Sequence, residues 1–490
     1  MSGSVSIKEQ LVRESGSPLA ERMKLSLDYD ELTNCMRCGF CQPACPTFRE
    51  TGLEAASPRG RIALMKAVVD DVMEPDTSFR KQIDLCLGCR ACEPVCPADV
   101  QYGTLLEQTK EALEQHADHP LWIRALRSIT FRHLFPKQQR MKVLGKALRL
   151  YQRSGLQGLA RTSGMMNLFP EHMRQMERIL PSASGSGVVE QLGTFVPAQG
   201  KPIGRVGLFR GCIMDVLYTE TNVRTVRLLS EAGYDVVIPE TQNCCGALHA
   251  HSGELDQARE LARKNILTFQ EAKVDTVVSN AGGCGALLVE YGHLLHDDAH
   301  YAGAALAFAE GVKDVSQLLL ERAGRLNFDA AAAHEEDQAR QEAAPAAQRT
   351  SAASPVTVMP AAGTVRETVT YQDSCHLRNV MKAGNAPRNL IARVGHVNVV
   401  ELQGADRCCG SAGIYNMTQP EMSMQVLDHK MEHVKETKAQ VILTSNPGCL
   451  LQMQLGIERE GMTGRMKAEH VVDYLYERLV TPREKNEQNG

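Results

Sequence analysis

Two runs of cysteine, Cys35, Cys38, Cys41 and Cys45 before Pro46, and Cys86, Cys89, Cys92 and Cys96 before Pro97, repeat the spacing C-x2-C-x2-C-x3-C-P. Three thiolates spaced by two residues can hold three irons of one iron-sulfide cube, and the proline after the fourth cysteine turns that sulfur toward the neighbouring cube. The spacing therefore predicts two [4Fe-4S] clusters with crossed ligation. Cys35, Cys38, Cys41 and Cys96 are expected on one cluster, and Cys86, Cys89, Cys92 and Cys45 on the other. Structural zinc is the competing reading, but zinc sites normally take two cysteine pairs and close at four tetrahedral ligands.

Eight further cysteines fall into two sets, Cys212, Cys244, Cys245 and Cys284, then Cys375, Cys408, Cys409 and Cys449. Each set includes a vicinal pair followed by glycine, which lets two sulfurs share one pocket while the backbone stays clear, and Gly282, Gly283 and Gly285 permit equally close approach. Loops that enter helix N-termini favour thiolates, the form that binds metal. Four sulfurs suffice for one [4Fe-4S] cluster per set. A thiol or non-cubane arrangement and plain structural cysteines are the other two readings. His249, His251 and His376 lie close by in sequence, where a hydrogen-bonded histidine is commoner than a ligand. Arg59 and Arg61 either raise the potential of a nearby cluster or cap a helix and pair with an acid.

The elements that must position these residues follow from periodicity. Forty residues separate Cys45 from Cys86, too many for a compact two-hairpin ferredoxin. Pro58 to Arg61 opens a helix with Ile62, Leu64, Met65, Val68 and Val69 at helical spacing, and a second helix is expected from Gly103 to His116. The expectation is an all-helical ferredoxin domain over residues 1–116.

From Val206 the pattern alternates strand and helix. A strand ends at Cys212, a second (Tyr234 to Ile238) leads to Cys244, and a third (Val274 to Ser279) reaches Cys284. This is βαβ architecture, in which ligands collect at the carboxyl ends of the strands. The sequence then repeats, with strands near Val369, Val397 to Leu402 and Val441 to Ser445. Cys212 and Cys375 are 163 apart, Cys244 and Cys408 164, and Cys284 and Cys449 165. Closing helices match as well, with Val312 to Asp314 before Leu318 set against Val471 to Asp473 before Leu475. An internal duplication is expected.

Between these parts, residues 121–180 hold twelve Lys and Arg against two acids, interleaved with apolar residues such as Leu121, Trp122, Leu126 and Ile129. This is either a helical connector with a solvated basic face or a docking surface for an anionic membrane or an acidic partner. Residues 326–366 are rich in Ala, Pro, Ser and Thr and are expected to form a disordered linker. The division expected is 1–116, a basic connector 117–204, a first cysteine-rich domain 205–325, the linker 326–366 and a second cysteine-rich domain 367–490. The fold class is α+β multidomain, a helical two-cluster ferredoxin followed by two duplicated α/β domains.

Composition narrows the function. The chain has 490 residues, 43% of them apolar, yet no run approaches a membrane span, and the net charge of -4 with one Trp argues against nucleic-acid binding. The N-terminus lacks the basic then apolar profile of a signal peptide, so a cytoplasmic location is expected.

The C...CCG...GC pattern resembles the cysteine-rich CCG domain of heterodisulfide reductases, of lactate-utilisation proteins, of the third component of anaerobic glycerol-3-phosphate dehydrogenase and of glycolate oxidase iron-sulfur subunits. The glycolate oxidase subunit is the nearest in wording, through Cys38 to Cys41 with Cys45 to Phe48, Pro58 to Arg61, Gly283 to Ala286 with Glu290 to Gly292, and Cys408 to Gly413. The resemblance covers 30–115 and 205–480. In the heterodisulfide reductase relatives a fifth cysteine follows the last in a CxxC. Here that position holds Leu287 and Gln452, so disulfide-reducing chemistry of that type is not expected.

Oxidising a hydroxy acid removes two electrons at once while a cluster accepts one, so a flavin or nicotinamide must stand between them. No Gly-x-Gly-x-x-Gly turn or Walker sequence is present, and no flavin is expected in this chain. The resemblance implies an electron-transfer subunit of a glycolate dehydrogenase complex, with separate FAD-binding subunits as donors and the quinone pool as acceptor. Peripheral contact with the inner face of the cytoplasmic membrane is expected through the basic segment. The alternatives are a glycerol-3-phosphate dehydrogenase C-type subunit, a D-lactate dehydrogenase subunit, and an iron-sulfur sensor or scaffold.

Overall fold

The structure, a computed structural model, describes residues 17–326, 328 and 366–480. The expected linker lies almost wholly outside the described residues. Between residues 17 and 116 the described chain consists of helices and loops with no strand. Ser57 Oγ accepts from the Gly60 N–H (3.0 Å) and Pro58 occupies the first turn, so the helix Pro58–Val69 starts where a cap and a preset φ coincide. Its buried face, Ile62, Met65 and Val68, joins Met23, Leu32, Phe79, Ile83, Leu105 and Leu106 in one core. The second expected helix runs Tyr102–Gln115.

Each cysteine run is bent by two left-handed residues flanking its second cysteine. Arg37 (φ 57°) and Gly39 (φ 93°) serve the first run, Gly88 (φ 62°) and Arg90 (φ 56°) the second. Two such residues in four fold the chain back on itself, so that cysteines distant along an extended strand come to share one side.

The strands form two sheets. β1 (Phe195–Val196), β2 (Gly204–Phe209), β3 (Tyr234–Val237), β4 (Thr276–Ser279) and β5 (Val312–Asp314) are ordered β1-β3-β2-β4-β5, with only β1 antiparallel. β6 (Glu367–Tyr371), β7 (Val397–Val399), β8 (Val441–Thr444) and β9 (Lys467–His470) are ordered β7-β6-β8-β9, all parallel. Without the short β1, the two orders are the same.

Three features differ from expectation. β1 lies inside the segment expected to be connector and pairs with β3, so the first sheet begins before residue 204. The closing segments are each a strand followed by a helix, not a helix alone: β5 precedes Val315–Glu321 and β9 precedes Val471–Leu479. As a result the position matching Asp314 is His470, not Asp473. Both cap the helix that follows, Asp314 Oδ1 accepting from Ser316 N–H (2.8 Å) and His470 Nδ1 from Val472 N–H (3.2 Å). Strands of three or four residues carry too little period-2 pattern to be separated from a helix start in sequence.

The two sheets do not have separate cores. Helix Thr219–Glu231 of the first half packs on Val471–Leu479 of the second, and Val315–Glu321 packs on Asn385–Ile391. Val206, Leu208, Val226, Val369, Tyr371 and Leu475 therefore belong to a single buried cluster. The contact is reciprocal, as between like subunits of a two-fold dimer. It brings the carboxyl ends of the strands together: Gly282 N–H donates to Ser445 O (3.1 Å) and Gly283 N–H to Asn446 Oδ1 (3.0 Å).

The N-terminal helical part sits on both halves. Helix Tyr102–Gln115 packs on Ala247–His251 of the first, and Pro46–Thr51 packs on Pro420–Thr437 of the second. The basic segment folds into further helices, among them Leu121–Arg127, Gln138–Arg153 and Leu156–Thr162. Much of its apolar content stays exposed, including Leu121 (81%), Trp122 (67%) and Leu168 (84%). Among the described residues no helix is long and apolar enough to cross a membrane.

Candidate metal centre

The crossed pairing expected from the prolines has a counterpart in the packing. One hollow is lined by Cys35, Cys38, Cys41 and Cys96. A second is lined by Cys45, Cys86 and Cys89. Cys92 borders both. The fourth cysteine of each run thus reaches the other run's hollow. Sulfurs spread around a hollow suit a cube of irons, whereas tetrahedral zinc draws its ligands onto one point.

The two hollows differ in exposure. Cys38 is exposed and Cys35, Cys41 and Cys96 half-buried, while Cys45, Cys86, Cys89 and Cys92 are buried. Beside the buried set, Arg61 is wholly buried. Its Nε donates to Gln82 O (2.7 Å) and its Nη2 to Thr47 Oγ1 (3.0 Å), but among the described residues Nη1 has no hydrogen-bond partner. Burial works against its charge, yet the Cys86 thiolate, Tyr102 and Cys45 hold its pKa above the usual guanidinium value. A buried guanidinium without a counter-charge costs several kcal/mol, and an anionic iron-sulfur cluster held in this hollow would supply one. The residues present fit the group.

Cys86 shows the same field. Burial pushes its thiol up, but Arg61 above all, then Lys110, the Tyr102 hydroxyl and the Gly88 N–H, bring it below the ordinary thiol value. Arg59 behaves differently, its Nε donating to Glu54 Oε1 (2.6 Å) at the surface. Both arginines singled out in the sequence border cysteines, Arg59 on the exposed hollow and Arg61 on the buried one, and Arg59 alone of the two pairs with an acid among the described residues.

In each half the four cysteines form a chain in space. Cys212 Sγ and Cys244 Sγ are 3.5 Å apart, and Cys244 touches Cys245, which touches Cys284. Cys375, Cys408, Cys409 and Cys449 follow the same sequence of contacts. Cys284 and Cys449 lie in the first turns of Gly282–Val289 and Pro447–Arg459. Backbone N–H groups reach some sulfurs, Gly246 to Cys244 and Ala247 to Cys245, each at 3.5 Å. Even so, helix N-termini do not win here. The proton shared with Cys244 and then burial raise Cys212, and Cys408 and then burial raise Cys375. Crowded, desolvated sulfurs repel one another's charge more strongly than a helix end attracts it.

Gly246 (φ 92°) and Gly410 (φ 93°) follow the vicinal pairs in left-handed conformation. A Cβ at Gly410 would meet the Ser423 carbonyl oxygen at 2.6 Å, whereas at Gly246 the nearest atoms are 3.3 Å away. Gly410→Ala is expected to cost roughly 2–3 kcal/mol through strain and clash together, and Gly246→Ala less. Urea unfolding of both variants under nitrogen checks this order. Leu287 and Gln452 fill the space against these glycines. Gln452 donates to Ser423 Oγ (3.2 Å).

Each of the three histidines has one ring nitrogen in a hydrogen bond. His249 Nε2 donates to Phe131 O (2.8 Å), His251 Nδ1 meets Glu107 (3.2 Å), and His376 Nε2 donates to Gly88 O (3.0 Å). The last of these belongs to a junction the sequence does not announce. Asn379 Nδ2 donates to Cys89 O (2.9 Å) and Tyr415 OH to Leu85 O (2.8 Å), so the second run is strapped to the second half. Cys89 and Cys408 share one buried cluster with Cys375 packed against it, and burial and then Cys375 raise the Cys89 thiol.

Two cluster-type hollows in a helical part, joined to two cysteine-lined α/β halves, define an iron-sulfur protein of the electron-carrying kind. Family models agree in kind and position. The 4Fe-4S dicluster domain matches residues 31–100, the cysteine-rich domain matches 206–288 and again 369–454, and the linker region of the glycolate oxidase iron-sulfur subunit matches 122–180. A probable glycolate oxidase iron-sulfur subunit of Bacillus subtilis (strain 168) is 48% identical over 94% of this chain and 96% of its own length. The glycolate oxidase iron-sulfur subunit of Escherichia coli (strain K12) is 28% identical over 91% and 94%. Lactate utilization protein A of Oceanobacillus iheyensis is 27% identical over 55% of this chain and 96% of its own. The chain belongs to the family of glycolate oxidase iron-sulfur subunits.

Proposed function

We propose that this chain relays electrons from a separate FAD-binding subunit, which oxidises glycolate or D-lactate, toward the quinone pool. The observation that carries this reading is the graded exposure of the cysteine sites. The site of Cys35, Cys38, Cys41 and Cys96 opens at the surface beside exposed Met36 (64%) and Phe40 (65%). The site of Cys86, Cys89, Cys92 and Cys45 is buried and strapped to Cys375 and its neighbours. Bound clusters each hold and pass on one electron at a time. Protein packing orders the sites from surface to interior, and the dry environment keeps solvent from the inner ones.

In this reading the chain divides into a helical ferredoxin (1–116), a basic connector (117–204) whose end adds β1 to the first sheet, two CCG domains (205–325 and 367–490) and the linker 326–366. The common strand order and the reciprocal helix contacts support a duplicated pair. All sixteen cysteines serve as ligands, with one further cluster in each CCG domain. The basic connector, with its exposed Leu121, Trp122 and Leu168, supports peripheral contact with an anionic membrane face.

The test is anaerobic purification with co-purifying partners, then separate addition of glycolate, D-lactate and glycerol 3-phosphate while the iron-sulfur absorbance is followed. Bleaching by glycolate is expected. With flavin present and dithionite still effective, bleaching by none of the three overturns the hydroxy-acid reading. Binding of the same complex to anionic but not to neutral vesicles is expected if the connector meets a membrane.

A further inference from the structure

Helices Leu255–Glu271 and Pro420–Thr437 occupy equivalent places in the two halves, each beside its vicinal-cysteine loop. One position on each helix clamps that loop. In the first half it is Asn265, which is fully buried and donates to Cys244 O (2.9 Å) while accepting from Asn243 N–H (3.0 Å). In the second it is Lys430, whose number is 165 higher, the same offset that relates Cys284 to Cys449. The Lys430 ammonium is buried and donates to the carbonyls of Gly404 and Arg407, the latter at 3.1 Å. The two residues do the same mechanical task, and only one of them carries a charge.

Among the described residues no carboxylate forms an ion pair with that charge. Burial draws the Lys430 pKa down to about 8, while Cys409 and Cys408, then Asp406, act in the other direction and Arg407 adds to the burial effect. The cleft it borders is lined also by Arg49, Glu50, Arg407, His429 and His433, with Cys408 in its wall. In the first half the loop of the pair is held by neutral groups, Asn265 and Tyr291, whose hydroxyl donates to Cys245 O (2.8 Å), and the buried Arg210 before Cys212 is matched by Asp215 (3.8 Å).

We propose that Lys430 sets the iron-sulfur site of Cys375, Cys408, Cys409 and Cys449 at a higher reduction potential than the site of Cys212, Cys244, Cys245 and Cys284, so that electrons gather in the second half. This rests on the reading that both halves bind clusters. Reduction adds one electron and no proton to the site, and Lys430 keeps its proton throughout. A fixed ammonium in a dry surrounding favours the more negative, reduced state. The site it favours is the one joined through Cys375 to Cys89, where an electron leaving the ferredoxin part first arrives.

The experiment uses the full chain, loaded and purified under nitrogen. Iron and sulfide are counted, and a redox titration is followed by electron paramagnetic resonance, the second-half signal being assigned by its loss in Cys449→Ser. Lys430→Gln keeps an amide donor without charge, and Lys430→Arg keeps the charge. In Lys430→Gln the reduced-to-oxidised ratio of that one signal is expected to fall about tenfold at fixed potential, a shift of about 59 mV for one electron. The other signals stay in place and Lys430→Arg behaves as the parent. An unchanged second-half signal in Lys430→Gln at full iron content overturns the proposal and leaves the cluster assignment standing. Iron lost from Lys430→Gln and retained in Lys430→Arg assigns Lys430 to holding the loop and also overturns it. A parent chain with iron for the two ferredoxin clusters alone overturns the proposal and the two-half reading together.

Discussion

Replacing Cys45 by serine, a change in the first cysteine run, is expected to remove the cluster of the second run and spare that of the first. Cys45 is buried and lines the hollow of Cys86 and Cys89, not that of Cys35 and Cys38. Serine is a poor ligand for iron at neutral pH because its hydroxyl does not ionise as a thiol does. The loss should amount to one of the two ferredoxin clusters, read as iron and sulfide per chain. Cys96→Ser is the mirror case and should empty the exposed site instead. The exposed cluster is the one an added oxidant reaches first, so the survivor in Cys45→Ser should bleach quickly with ferricyanide and the survivor in Cys96→Ser slowly. If each run held its own cluster, these outcomes would be exchanged.

Arg61→Met should act with opposite sign in loaded and iron-free protein. Without iron, Arg61 is a buried cation whose Nη1 has no hydrogen-bond partner among the described residues, so a thioether of similar length is expected to be neutral or stabilising. With the cluster present, the same change leaves a buried anion without its counter-charge and is expected to cost about 3–5 kcal/mol. Unfolding by urea under nitrogen, with and without prior chelation, measures both arms. Arg61→Lys is not expected to restore the loaded form. A single ammonium cannot reach Gln82 O and Thr47 Oγ1 at once and still face the sulfurs, whereas the guanidinium fork does so. Destabilisation of equal size in both forms would mean that Arg61 only braces Gln82 and Thr47.

These two residues also mark how far a sequence can be read. The spacing of Cys45 and Pro46 already points the fourth sulfur away from its own run, because the geometry lies within a few bonds of the cysteine. Nothing local in Pro58 to Arg61 separates Arg59, at the surface with Glu54, from Arg61, buried by the sulfurs. The two differ by about 200° around the helix, and which side is inward depends on what packs there. Lys430 is less legible still. In sequence it is one more cation on an amphipathic helix, and only the loop from Gly404 to Cys408 folding over it makes it a buried charge.

The sequence alone determined what short-range covalent geometry and periodicity control. That covers the two cysteine runs, the helix Pro58–Val69, the alternation of strand and helix after Val206, and the repeat at offsets near 164. Tertiary structure decided the rest: that β5 and β9 are strands, that the two halves share one core, and that the second half, not the first, receives Cys89. The halves carry the same cysteine pattern, so their sequences offer no basis for choosing between them. The choice comes from complementary packing between Pro46–Thr51 and Pro420–Thr437, elements more than 350 residues apart whose contact no local pattern encodes.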